Sequence, residues 1–253
     1  MSKSILKAYP GKLSTIFYEF NNPFPPEDEL EFYLSYAKMD MKILEPMCGS
    51  GRFLVEFLKK GYDIDGFDIS PAMLKKCEQK LNELNYNANL QCCDFLEYSS
   101  EEKYDLIIIP ANSFSLITEE TKILQCLNKL KELCKPDGKI IIEIDCKNKI
   151  HFTEKYDVRI KYRDGKIVLR TYIDKIVRPG NAIDYILRYK LYEDNICVYM
   201  IKEKMYKKYY VKNEFEKYIN NAGLKIEDRY IDYRKTRYNQ EKNGKIIFII
   251  NKK

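Results

Sequence analysis

Tryptophan is absent from the 253 residues and histidine occurs once, at His151. With one imidazole and no Cys-x-x-Cys among eight cysteines, zinc-ligand spacing is missing and no metal site is expected. No apolar run approaches the roughly 20 residues that span a bilayer, so no membrane partner is expected. The opening stretch MSKSILKAYPGKLS has no apolar core of the signal-peptide kind, which makes a cytoplasmic location the expectation. In that compartment the cysteines read as reduced core thiols, with Cys92 and Cys93 ending a strand and Cys126 and Cys134 on the apolar side of a helix. Two phosphate-binding signatures are missing too. Gly51 is followed by Arg52 and Phe53 where a Walker loop has Gly-Lys-Ser or Gly-Lys-Thr, and Leu54 stands where a dinucleotide fingerprint has its third glycine.

What is present is ordinary globular composition, 45% hydrophobic and 32% charged, at a length that suits one large α/β domain. The charge is uneven. Residues 1–150 carry 19 Lys and Arg against 24 Asp and Glu, a net of −5; residues 151–253 carry 25 against 14, a net of +11. The second part also holds 14 of the 22 tyrosines, a combination that can attract nucleic acid. A Lys-, Ile-, Asn- and Tyr-rich chain with lysines on solvated strand faces has the same appearance, and a nucleic-acid partner is not expected.

Residues 43–70, ILEPMCGSGRFLVEFLKKGYDIDGFDIS, organise the chain. A short apolar run suited to a buried parallel strand ends at Glu45. After Gly49 and Gly51, the residues Phe53, Leu54, Phe57 and Leu58 recur at helical spacing until Gly61. A second strand ends at Asp68. Strand, glycine turn, helix and strand put carboxylates in the crevice where open α/β sheets bind ligands, and Asp68, 19 residues after Gly49, suits a carboxylate on vicinal ribose hydroxyls. A nucleoside cofactor without a pyrophosphate is the expectation.

The segments Glu45-Pro-Met-Cys-Gly-Ser-Gly51 and Gly66-Phe-Asp-Ile-Ser70 resemble the first two motifs of the class I S-adenosylmethionine-dependent methyltransferases, small-molecule type. One departure is Met47, where many members carry glycine. The resemblance implies a Rossmann-like seven-stranded sheet, mostly parallel with the last strand antiparallel, and S-adenosyl-L-methionine as cofactor. It implies that Glu45, Met47, Cys48, Gly49, Gly51 and Arg52 surround the cofactor together with Asp68, Ile69 and Met73. Asp94 and Phe95, after the third strand, would serve adenine, and Pro110 would follow the fourth. Asn112 and Ser113 would then meet the substrate; Pro110-Ala-Asn-Ser departs from the Asn/Asp-Pro-Pro-Tyr/Phe of base-amino methylating members. By the same resemblance Tyr18, ahead of the sheet, would wall the substrate site.

Further along, Ser70 and Pro71 start a helix, Thr118 caps a helix over 119–134, and 139–145 is a central strand. From 157 to 208 the pattern becomes period-2, with turns at Asp164-Gly165 and Arg178-Pro-Gly-Asn181, which predicts four antiparallel strands. An insertion of this kind resembles the lid of small-molecule methyltransferases. The expected organisation is therefore a core of residues 1–150 and 209–253 with an inserted antiparallel β lid over 151–208. Methyl transfer to an oxygen or nitrogen of a small molecule is the expected function, with His151 and Asp145 as candidate bases. An RNA methyltransferase and a non-catalytic cofactor-binding module are the alternatives; neither the acceptor nor the oligomeric state is legible.

Overall fold

The computed structural model describes residues 12–146, 156–162, 167–178, 181–193, 195–211, 213–239 and 244–252. Two helices, α1 (Lys12–Asn21) and α2 (Glu27–Leu34), precede the first strand, β1 (Lys42–Pro46). Then come α3 (Leu54–Lys59), β2 (Asp63–Asp68), α4 (Pro71–Leu84), β3 (Leu90–Cys92) and β4 (Tyr104–Ile109). A 3-10 turn, Ser113–Leu116, leads into α5 (Glu120–Leu133) and the long β5 (Cys134–Cys146). After the insertion the chain ends with α6 (Glu214–Asn221), β10 (Leu224–Tyr230) and β11 (Gly244–Lys252).

These seven core strands lie in the order β10-β11-β5-β4-β1-β2-β3, with β11 antiparallel to both neighbours. Pairing between β1, β2, β3, β4 and β5 is parallel, as the expected Rossmann-like sheet requires. The reason is visible in β4, whose Leu106, Ile107, Ile108 and Ile109 are all buried. Its alternate side chains enter two different apolar clusters, one on the α5 side and one on the α2–α3–α4 side. A strand apolar on both faces is stable only between two helical layers. Parallel register brings the carboxyl ends of β1, β2 and β3 together, pairing Glu45 with Gly66 and Asp68 with Cys92.

Between β5 and α6 stands a second sheet in the order β6-β7-β8-β9, made of β6 (Tyr156–Tyr162), β7 (Ile167–Arg178), β8 (Ala182–Glu193) and β9 (Ile196–Lys208). The period-2 pattern is realised as antiparallel hairpins throughout. The expected Asp164-Gly165 turn and the centre of Arg178–Asn181 lie outside the described residues.

Local expectations hold at some points and fail at others. Ser70 caps α4, its hydroxyl oxygen accepting from the Met73 N–H at 3.4 Å. Thr118 does not cap α5; Glu119 occupies that place without a side-chain bond. Cys134 is the C-cap of α5 and at the same time opens β5, so the strand follows the helix with no intervening turn. The eight cysteines are free thiols, five of them buried, while Cys92 and Cys197 are exposed.

Candidate active site

The glycine turn after β1 is built around one carboxylate. Gly49, at φ +57°, directs its N–H to Asp68 Oδ2 at 2.9 Å, and the Ser70 N–H donates to Oδ1 at 2.8 Å. Asp68 is thereby clamped across the β1 and β2 tips with further lone pairs to offer. Burial pushes its carboxyl up to about 6 against the backbone N–H groups of Ser70, Gly49 and Ile69, which hold it down. Gly51, at φ +75°, serves packing: a Cβ there would lie 2.4 Å from Cys77 Sγ on α4.

A cavity of about 550 Å³ opens above these strand tips. Every residue expected to surround the cofactor lines it except Gly51, which faces α4. Tyr18, Asn112 and Ser113 line it as well. Tyr18 arrives there because α1 is pinned at both ends. Glu19 accepts from the Ser50 hydroxyl at 2.5 Å and from the Lys80 ammonium at 2.8 Å, and Ser14 donates to Glu203 of β9 at 3.2 Å. Asp145 is not on the cavity wall; its carboxylate pairs with the Lys207 ammonium, and Lys207 lines the cavity. His151 lies outside the described residues.

The far wall escaped sequence reading. It is formed by Leu116, Ile117 and Thr118 before α5, Lys122 and Cys126 on α5, and Met205, Tyr206 and Lys207 at the end of β9. No local motif marks these positions; they are brought to the cavity by the path of β5 and the return of β9. Among the described residues, no group of three or more His, Cys, Asp and Glu could hold a metal ion.

Three buried polar atoms of cavity-lining residues have no hydrogen-bond partner: Glu45 Oε2, Arg52 Nε and Asn112 Oδ1. An acceptor at Glu45 and a guanidinium donor at Arg52 suit the ammonium and carboxylate of an amino-acid moiety, so these residues fit the methionine half of S-adenosylmethionine. Burial pushes the Glu45 carboxyl up to about 8, opposed by the Leu54 N–H and by Arg52.

That burial has a sign. A carboxylate whose folded value lies above its free value folds best when protonated, so stability falls as pH rises between the two. Glu45 at about 8, Glu143 at about 7 and Asp68 at about 6 therefore predict a cofactor-free melting temperature that declines from about pH 5 to about pH 8. Thermal scans across that range check it, and Glu45→Gln should flatten the upper part of the decline.

The strand-to-turn junction after Pro110 places Ala111 at φ +57° and Asn112 at φ +55°. Asparagine tolerates the left-handed region; alanine does not. Ala111→Gly should therefore raise stability by about 1 kcal/mol, measured by denaturant unfolding, because the strain removed exceeds the chain entropy glycine adds.

Residues 43–138 match the family described as methyltransferase domain. Over 115 residues the chain is 36% identical to malonyl-[acyl-carrier protein] O-methyltransferase 1 of Ilyobacter polytropus, a match covering 45% of this chain and 41% of that protein. The chain thus spans less than half the length of that curated relative. Among solved structures, an S-adenosylmethionine-dependent methyltransferase from Clostridium acetobutylicum superposes with a TM-score of 0.76 at 16% identity, covering 95% of this chain and 98% of the other. The sugar N-methyltransferase KedS8 from a Streptoalloteichus species also reaches 0.76, at 12% identity, covering 100% and 96%. Both likenesses extend over the inserted sheet as well as the core.

Proposed function

From a chain that carries the class I S-adenosylmethionine-dependent methyltransferase domain, with S-adenosyl-L-methionine as that domain's cofactor, we propose methyl transfer to an oxygen or nitrogen of a small molecule. The observation that carries it is the convergence of Glu45, Asp68 and Asp94, one at each of three adjacent strand tips, on a single cavity. When bound, the cofactor supplies a methyl group already activated on a sulfonium.

The chain's own residues then have holding and orienting tasks. Asp68 would accept from the ribose hydroxyls and Asp94 from the adenine amino group, with Ile69, Met73 and Phe95 against the ring. Glu45 and Arg52 would hold the two ends of the amino-acid moiety. Tyr18, Asn112 and Ser113 would align the acceptor, and the inserted sheet, carrying Met205 and Tyr206 to the cavity, would act as the lid that selects it. Alignment of this kind supplies roughly 7–11 kcal/mol of the barrier without a protein nucleophile. A general base is needed chiefly for a hydroxyl or a protonated amine, and His151 is proposed for that case, since Asp145 lies off the cavity wall and pairs with Lys207.

A cavity of about 550 Å³ favours a small acceptor, in keeping with the sugar methyltransferase among the structural neighbours. The test is release of S-adenosylhomocysteine from S-adenosylmethionine in the presence of small amines and alcohols. Turnover with a small molecule supports the proposal. Turnover with RNA alone assigns the acceptor to nucleic acid, and binding of the cofactor without turnover on any acceptor returns the chain to a binding module.

A further inference from the structure

The tip of the β8–β9 hairpin takes no part in the cavity, and its composition is unusual for a sheet edge. β9 pairs with β8 alone, and its first five residues, Ile196, Cys197, Val198, Tyr199 and Met200, are all exposed. Ile196 is 67% exposed, Met200 59%, Tyr199 54% and Val198 49%. Natural edge strands are usually guarded by charge, and this run has none. Charge flanks it on both sides: Glu193 and Asp194 precede it in the sequence, and exposed Lys202 and Lys204 follow, about 7 and 13 Å beyond Met200 at about 3.3 Å per residue.

We propose that this hairpin tip docks on an anionic lipid surface, the four apolar side chains entering the headgroup boundary and Lys202 and Lys204 lying at the phosphates. Exposure on both faces of the strand discriminates among occupants. A second copy laid along the free edge would satisfy backbone groups yet leave both faces in water, whereas a lipid boundary surrounds the tip. Tyr199 is the one side chain of the run with a π face for a nucleobase, against three aliphatic ones, which argues against a stacking platform for nucleic acid. Lys202 and Lys204, together with Arg188 and Lys190 on the paired stretch of β8, outnumber Glu193 and Asp194 and complement a negatively charged leaflet. The absence, among the described residues, of a helix able to cross a membrane is unaffected, since this contact is peripheral.

The test is sedimentation of the full chain with vesicles of phosphatidylcholine alone and of phosphatidylcholine with about one quarter phosphatidylglycerol, from low salt to about 500 mM. The expected result is binding to the anionic vesicles that salt reverses. Lys202→Gln with Lys204→Gln should lower partitioning by roughly 10- to 30-fold. Ile196→Ser with Met200→Ser should lower it by at least about tenfold, with S-adenosylhomocysteine affinity unchanged. No binding to anionic vesicles at low salt overturns the proposal, as does binding that either double variant leaves intact. Retention on single-stranded RNA without vesicle binding, or a dimer that the Ile196–Met200 variant dissociates without vesicle binding, overturns it in favour of those partners.

Discussion

Asp68→Ala should weaken S-adenosylhomocysteine binding by roughly 100- to 1000-fold, the loss expected when two charge-assisted hydrogen bonds disappear from a buried site. The carboxylate does two things at once. It fixes the glycine turn through Gly49 and the start of α4 through Ser70, and it lines the cavity in which the adenosine is proposed to sit. Asp68→Asn separates these roles, because an amide keeps the volume and one acceptor. It should retain the melting temperature more nearly than alanine while still losing at least about tenfold in affinity. Calorimetric affinity within threefold of the parent for Asp68→Ala would remove the ribose assignment.

Gly51→Ala should cost about 3 kcal/mol of folding stability. Two effects add: a left-handed residue that gains a Cβ loses about 1–2 kcal/mol, and overpacking a tight contact loses about 1–3 kcal/mol. The contact is explicit, since the new Cβ would lie 2.4 Å from Cys77 Sγ and 3.3 Å from Val55 Cγ2. A double variant resolves the two. Cys77→Ala in the Gly51→Ala background removes the sulfur and should recover the overpacking share while the backbone share persists. Equal stability of Gly51→Ala and parent by denaturant unfolding would mean that α3 and α4 are not packed as described. The second glycine of the motif thus serves helix packing and the first its left-handed backbone at φ +57°, which aims the N–H at Asp68.

Much of this was legible from spacing. Gly49, Gly51 and Asp68 are separated by what one strand–helix–strand unit requires, and the short apolar runs within β1 and β4 suit buried parallel strands. Period-2 alternation sufficed for the inserted sheet because hairpin partners are neighbours in the chain. Legibility failed where tertiary context decides. The sequence places Tyr18 ahead of the sheet without defining α1, whose position comes from Glu19 meeting Ser50 and Lys80 and from Phe17 packing on Tyr189 at 5.6 Å. The start of β5 was missed because the Lys135-Pro-Asp-Gly138 stretch looks like a turn, yet Tyr104 pairs with Cys134 across it. The α5 and β9 walls of the cavity have no motif, and Asp145 looked like a free strand-end acid until Lys207 was placed beside it.

Three neighbouring strand tips are proposed to hold one adenosine, beside a glycine turn that lacks the phosphate-binding motifs. Calorimetric titration of the intact chain with S-adenosylhomocysteine and, separately, with NAD tests it most directly. One equivalent of S-adenosylhomocysteine bound, competed by adenosine, with no heat from NAD, is the predicted result. Tight NAD binding, or no response to S-adenosylhomocysteine at all, would contradict it.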